Sequence, residues 1–103
     1  MSSDAITIVA YYKFVSLPDF EQRRQPLLEI CETNRVKGTI LLAAEGINST
    51  IAGTEEGIEA VLNYLQSDPA IGPLAVKRSK ADEIPFYRMK VRLKKEIVRL
   101  GMP

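Results

Sequence analysis

The sequence has no histidine and no tryptophan, and its only cysteine is Cys31. Without imidazole there is no ordinary base to activate a serine or cysteine nucleophile, and without His/Cys clusters there is no ligand set for zinc. A single cysteine cannot close an internal disulfide. The chain by itself therefore offers no catalytic residues, no metal site and no cofactor motif, and carboxylate chemistry is the common route left open. Long apolar runs are missing as well: nothing approaches the roughly 20 residues that cross a bilayer. The opening stretch MSSDAITIVAYYK lacks the basic start, apolar run and small-residue cleavage site of a secretory signal. These absences predict a cytoplasmic protein with no membrane contact.

What remains is ordinary globular material, 103 residues of which 46% are hydrophobic and 26% charged. That is enough for one domain with one modest core. The net charge of +1 conceals a division. Residues 1–76 carry 5 basic and 10 acidic groups, whereas residues 77–103 carry 9 basic and 3 acidic. A C-terminal end this cationic points to an anionic partner, nucleic acid first among them.

Residues Ala5 to Phe14 are rich in β-branched and aromatic side chains, and Ile6, Ile8, Ala10, Tyr12 and Phe14 share one face of a period-2 strand. Ser16, as a cap, opens a helix that runs to about Asn34 and buries Phe20, Leu27, Leu28 and Cys31. Pro26 either kinks that helix or marks its regular start. Cys31, on an apolar helix face, reads as a small core residue. Gly38 to Ala44 forms a second strand, Glu45-Gly46 the turn and Ile47 to Gly53 the return strand of a hairpin. Thr54 caps a second helix, with Glu55 and Glu56 at its positive end and Ile58, Val61, Leu62 and Leu65 as its buried stripe, and Asp68-Pro69 closes it. A fourth strand covers Pro73 to Ser79, a polar connection Lys80 to Pro85, and a further extended segment Phe86 to Leu100.

The order β-α-β-β-α-β predicts a ferredoxin-like α/β (α+β) two-layer sandwich: an antiparallel sheet, two helices on one face, and a C-terminal extended basic segment. The expected division is a ferredoxin-like domain over 1–85, followed by a strand and linker over 86–103. Leu41 and Ala43 point opposite to Ile40, Leu42 and Ala44. Apolar side chains are thus expected on both faces, the second being covered by the C-terminal segment, another domain or a subunit.

The segment Phe86 to Lys94 alternates strictly. Tyr87, Met89, Val91 and Leu93 fall on one side, and Arg88, Lys90, Arg92 and Lys94 on the other. Cations spaced roughly 6 to 7 Å apart along a strand suit a nucleic-acid backbone, and Lys77, Arg78 and Lys80 reinforce them. Phe86 and Tyr87 are candidates for stacking on bases. The bland alternative is a row of charges that protects an edge strand. No RNP pattern is present in KVRLKKEIV. In the hairpin, Glu45, Asn48 and Ser49 are candidates for contact with a substrate or a partner domain; locally bonded turn residues are the simpler account. Acylphosphatases share this fold and cradle phosphate in a glycine-rich loop with an arginine after the first strand. Here that loop is Val15-Ser16-Leu17-Pro18-Asp19, and the Cys-x-x-Cys of the copper-chaperone variant is missing too.

Three segments together, YYKFVSLPDF, KGTILLAAEGINSTIAG and PFYRMKVRLKKEIVRLG, resemble the N-terminal domain of the rhodanese-like tRNA uridine hydroxylase family. Ser49 departs from the glycine usual there. The resemblance implies a rhodanese domain, with the reactive cysteine in its active-site loop, following the EIV-x-x-G segment Glu96 to Gly101. It also implies oxygen-dependent hydroxylation of the wobble uridine in tRNA by the longer protein. Cys31 matches no such active-site loop. Two roles follow as expectations. The chain is either a module that helps bind tRNA through Lys77, Arg78, Lys80, Arg88, Lys90, Arg92 and Lys94, or a structural domain that docks on the C-terminal rhodanese domain. A composite site using Glu45 and Asn48 is the residual enzymatic possibility.

Overall fold

The computed structural model describes residues 5–95. Their order is β1 (Ile6–Phe14), α1 (Phe20–Thr33), β2 (Lys37–Ala43), β3 (Gly46–Gly53), α2 (Glu55–Gln66), β4 (Lys77–Ala81) and β5 (Met89–Leu93). The strands form one sheet in the order β4-β1-β3-β2-β5. The first four pair antiparallel, as the ferredoxin-like reading expects, and β5 adds a fifth strand parallel to β2. β4 and β5 are consecutive in sequence yet lie on opposite edges. Residues 82–88 must therefore pass the end of three strands, a displacement of about 19 Å that a link of this length, reaching about 26 Å, can cover. The end of the predicted extended segment and the EIV-x-x-G stretch lie outside the described residues.

The period-2 alternation assigns every strand residue to a face. Val9 and Tyr11 of β1, Ile47 and Ile51 of β3, Ile40 and Leu42 of β2, and Met89 and Val91 of β5 are buried on the helix side. They close a core with Leu27 and Cys31 of α1, Ile58, Val61, Leu62 and Leu65 of α2, and Leu17 and Val36 from the connections. Packing of this kind supplies the main stabilisation of a small domain.

Local rules explain most boundaries. In α2 the Thr54 hydroxyl accepts from the Gly57 amide at 3.1 Å, as a cap should. Ser16 does not cap α1. Its neighbours are committed to the hairpin turn, with the Val15 amide donating to the Glu45 carbonyl and the Leu17 amide to the Ala44 carbonyl, so α1 starts after Asp19. Pro26 sits inside a continuous helix on its exposed side, where water can satisfy the Gln22 carbonyl. At the other end Arg35 adopts φ 58°, and the Val36 amide donates to Cys31 while the Arg35 amide donates to Glu32. This is a Schellman ending with arginine where glycine is usual.

The hairpin turn falls one residue early, on Ala44-Glu45, and Gly46 already pairs with Ala43 and Phe14. A Cβ at Gly46 would lie 2.2 Å from the Lys13 carbonyl oxygen, and one at Gly38 would lie 2.2 Å from that of Thr50. Both positions need glycine for close backbone approach.

β4 begins at Lys77 and not at Pro73. The Leu74 amide is used by the Gln66 side chain, and Lys13 Nζ donates to the Ile71 and Pro73 carbonyls at 2.7 and 2.8 Å. The apolar run ahead of Lys77 is therefore pinned by side chains instead of a ladder.

Candidate nucleic-acid interface

The registers give the open face of the sheet as rows. One row runs Lys77, Ala10, Thr50, Thr39, Lys90, and the next runs Tyr12, Asn48, Leu41, Arg92. Lys77 thus stands on one edge and Lys90 and Arg92 on the other, with an uncharged floor of polar, aromatic and apolar side chains, Ala10 and Leu41 among them, in between. All three cations are exposed. The alternation of β5 is as expected for Met89 and Val91, which are buried, and for Arg88, Lys90, Arg92 and Lys94, which are exposed. Tyr87 is 98% exposed and takes no part in the core.

β5 is held where the cations need it. The Gly38 amide donates to the Arg88 carbonyl and the Lys94 amide to the Leu42 carbonyl. On the outer edge, the Val91 carbonyl accepts from Arg24 Nε of α1 at 2.8 Å, which satisfies an edge group that would otherwise invite another strand.

Arg78 and Lys80 are separated from this set. Parity in β4 turns them to the helix side, opposite Val9 and Thr7. There Arg78 pairs with Glu59 at 2.6 Å and with Glu55 at 3.4 Å, and Lys80 Nζ lies 3.1 Å from Glu55. Thr7 Oγ1 donates to Glu55 at 2.8 Å and accepts from Lys80 at 2.9 Å. The hydrogen bond from Thr7, then that from Lys80, holds the Glu55 carboxyl below its ordinary range.

The hairpin candidates are divided as well. Glu45 is exposed in the turn and Asn48 half-buried on the open face, but Ser49 is 3% exposed and faces the helices opposite Tyr11. A core-facing serine cannot meet a substrate on the surface that Asn48 lines. Ser49 shares parity with Ile47 and Ile51, and that signal was available in the sequence. Among the described residues, the Tyr11 and Ser49 hydroxyls find no hydrogen bond of normal geometry. Burial pushes the Tyr11 phenol well up, the neighbouring Ser49 hydroxyl offsetting part of the rise. Cys31 is buried beside them, its thiol pushed up to about 12 by burial, so it is a protonated core residue.

Two aromatics escaped the sequence reading as site residues. Tyr12 and Phe14, 45% and 56% exposed, stand on the open face with ring centroids 6.2 Å apart, edge to face. Their parity with Ala10 and the placement of β1 inside the sheet are the signals that identify them. Beside Tyr12, a groove of about 790 Å³ runs along Asn48 and Thr50 to Val76 and Lys77. The space between the two helices is only about 20 Å³, room for about one water. Among the described residues no helix is long and apolar enough to cross a membrane.

Fold and surface together define a ferredoxin-like α+β domain whose open sheet face is rimmed by cations. The chain belongs to the UPF0176 acylphosphatase like domain family, whose model matches residues 6–97. It is 62% identical over 94 residues to the tRNA uridine(34) hydroxylase of Albidiferax ferrireducens, covering 91% of this chain and 30% of that protein. Against the proteins of the same name from Teredinibacter turnerae and Agrobacterium fabrum the identities are 54% over 95 residues and 53% over 96. These matches cover 92% and 93% of this chain, and 30% and 31% of those proteins. The chain thus spans about three-tenths of the length of the curated relatives it matches, and the resemblance read from its three segments holds.

Among solved structures, the BlrP1 BLUF chain superposes with a TM-score of 0.73 at 18% identity, covering 91% of this chain and 67% of that one. BlsA in its photo-activated state gives 0.69 at 16%, covering 87% and 71%. At these identities the likeness is one of fold.

Proposed function

We propose that this chain is a non-catalytic, tRNA-binding module of a longer cytoplasmic enzyme, rhodanese-like in its remaining part, that hydroxylates the wobble uridine of tRNA. The names of the relatives support the substrate, and the share of their length left unmatched leaves room for a domain bearing the reactive cysteine. The observation that carries tRNA binding is the register that brings Lys77, Lys90 and Arg92 onto one open face. Three cations around an uncharged floor suit phosphates, whose neutralisation gives affinity with a steep salt dependence. Arg88 and Lys94 extend the β5 row at its two ends.

The test is tRNA binding by the 103-residue chain, followed by fluorescence anisotropy at several salt concentrations. Reversing two charges in Lys90→Glu/Arg92→Glu is expected to weaken binding at least about tenfold and to flatten the salt slope by about 2. Unchanged affinity and slope would remove the RNA-binding role.

Docking on the rhodanese domain is a second role, supported by a different patch. Tyr87 stands in water, three residues along the chain from half-buried Ile84 and next to half-buried Phe86, and an exposed tyrosine of this kind is a residue type that anchors interfaces. A Tyr87→Ser chain should associate more weakly with the separately expressed remainder of a full-length relative. Equal association rules out this patch.

A further inference from the structure

We infer that the open face takes a single-stranded RNA segment laid across the strands, with one base stacked against Tyr12 in the groove that ends at Lys77. This deepens the tRNA-binding role proposed above and rests on it. The face differs from a simple cationic strip in three respects.

Its cations are not contiguous. Lys77 and Lys90 terminate the same row, four strand spacings or about 19 Å apart. A backbone touching both must run perpendicular to the strands over a few extended nucleotides.

The floor between them carries no charge and mixes polar groups with the apolar Ala10 and Leu41. Ala10, Thr50 and Thr39 form one row, and Asn48 lies in the next. Hydroxyl and amide groups are the ones that read base edges and 2′-hydroxyls.

Finally, an aromatic ring stands in the row beside Lys77. Tyr12 is braced edge to face by Phe14, an arrangement that adds to its packing, and it borders the groove of about 790 Å³. That volume lies in the range of small-ligand sites, and it offers a ring for a base and a lysine for the adjoining phosphate. A duplex cannot use such a site, because its bases are already stacked and its grooves present edges in place of faces.

The 103-residue chain is titrated with a short single-stranded oligouridylate and with a blunt RNA duplex. The wild-type chain should bind the single strand in preference to the duplex. Tyr12→Leu is expected to weaken single-strand binding about tenfold, while Tyr12→Phe keeps the ring and binds like wild type. Thr50→Glu puts a carboxylate on the exposed floor and weakens binding without touching the core, so the outcome does not depend on how Tyr12→Leu folds. Equal binding of duplex and single strand overturns the inference, as does a folded Tyr12→Leu chain with full affinity. If either result appears while Lys90→Glu/Arg92→Glu still weakens tRNA, binding is by charge alone and the broader role stands. Absence of all tRNA binding removes both.

Discussion

The two faces of the sheet use the same residue types to opposite ends. On the helix side Arg78 and Lys80 are matched by Glu55 and Glu59 of α2, and their positive charge is spent within the domain. On the open side Lys77, one residue from Arg78 in sequence, joins Lys90 and Arg92 in a set that forms no ion pair among the described residues. The aliphatic and aromatic residues divide in the same way: Leu42 and Tyr11 are buried under the helices while their neighbours Leu41 and Tyr12 meet the other surface. Composition alone cannot distinguish structural charge from charge available to a ligand; strand parity can.

This contrast can be broken by substitution. The largest effect should come from its core side. Leu42→Ala empties a fully buried position and is expected to lower stability by about 2–5 kcal/mol. The same change at Leu41 should remain below about 1.5 kcal/mol, because that side chain is already partly in water. Urea denaturation of the two variants measures both. Equal losses would mean that the open face is packed in solution.

A smaller effect lies outside both faces and serves as a control. Arg35→Gly relieves the left-handed backbone at the end of α1 and should raise stability by about 0.5–1 kcal/mol with no change in RNA affinity. The shift in urea midpoint reports the first quantity and anisotropy the second.

Neutralising Arg78 and Lys80 as Arg78→Gln/Lys80→Gln should be milder still. A fall of a few degrees in melting temperature is expected from exposed pairs, with tRNA affinity close to wild type. A tenfold loss of affinity would place these cations in the interface after all.

The smallest effect is on acidification. Thr7 and Lys80 lower the Glu55 carboxyl, and Arg23, with the Ala70 amide, lowers that of Asp68. A carboxylate lowered by folding contributes stability that is complete above its unfolded pKa, about 4, and is lost as pH falls through the folded value. Melting temperature should therefore be level from about pH 7 to 5 and decline below about pH 4. Glu55→Gln should reduce that decline, and an identical pH profile would assign it to other groups.

Much of this could be read from the residues. The buried stripe of α2 follows from its 3.6-residue period and its threonine cap, and the alternation of β5 from strict period 2. Three features were hidden for identifiable reasons. Pro73 to Val76 looks like a strand, but whether an apolar run joins a ladder depends on distant groups such as Lys13 and Gln66. The seat of β5 beside β2 depends on which edge is vacant, a property of the assembled sheet. Arg78 and Lys80 sit in the same cationic run as Lys77, and only their register against β1 reveals the acidic helix above them. The candidate site was thus visible as charge near the C-terminal end and, in Asn48, as a polar hairpin residue, while the setting of Asn48 and Thr50 beside Tyr12 emerged only when β1 and β3 were laid side by side.

The route of residues 82–88 around the end of the sheet bears on the order in which the molecule opens. β5 is fastened to a strand some fifty positions earlier, and the pairing of β1 with β3 and of β2 with β3 does not require it. Closing so long a loop is slow and entropically unfavourable. The backbone amides of β5 should accordingly exchange with solvent before those of β1 and β3. A strand of RNA bridging Lys77 to Lys90 would act as an external strap across all five strands, and slowed exchange in β5 would record its attachment.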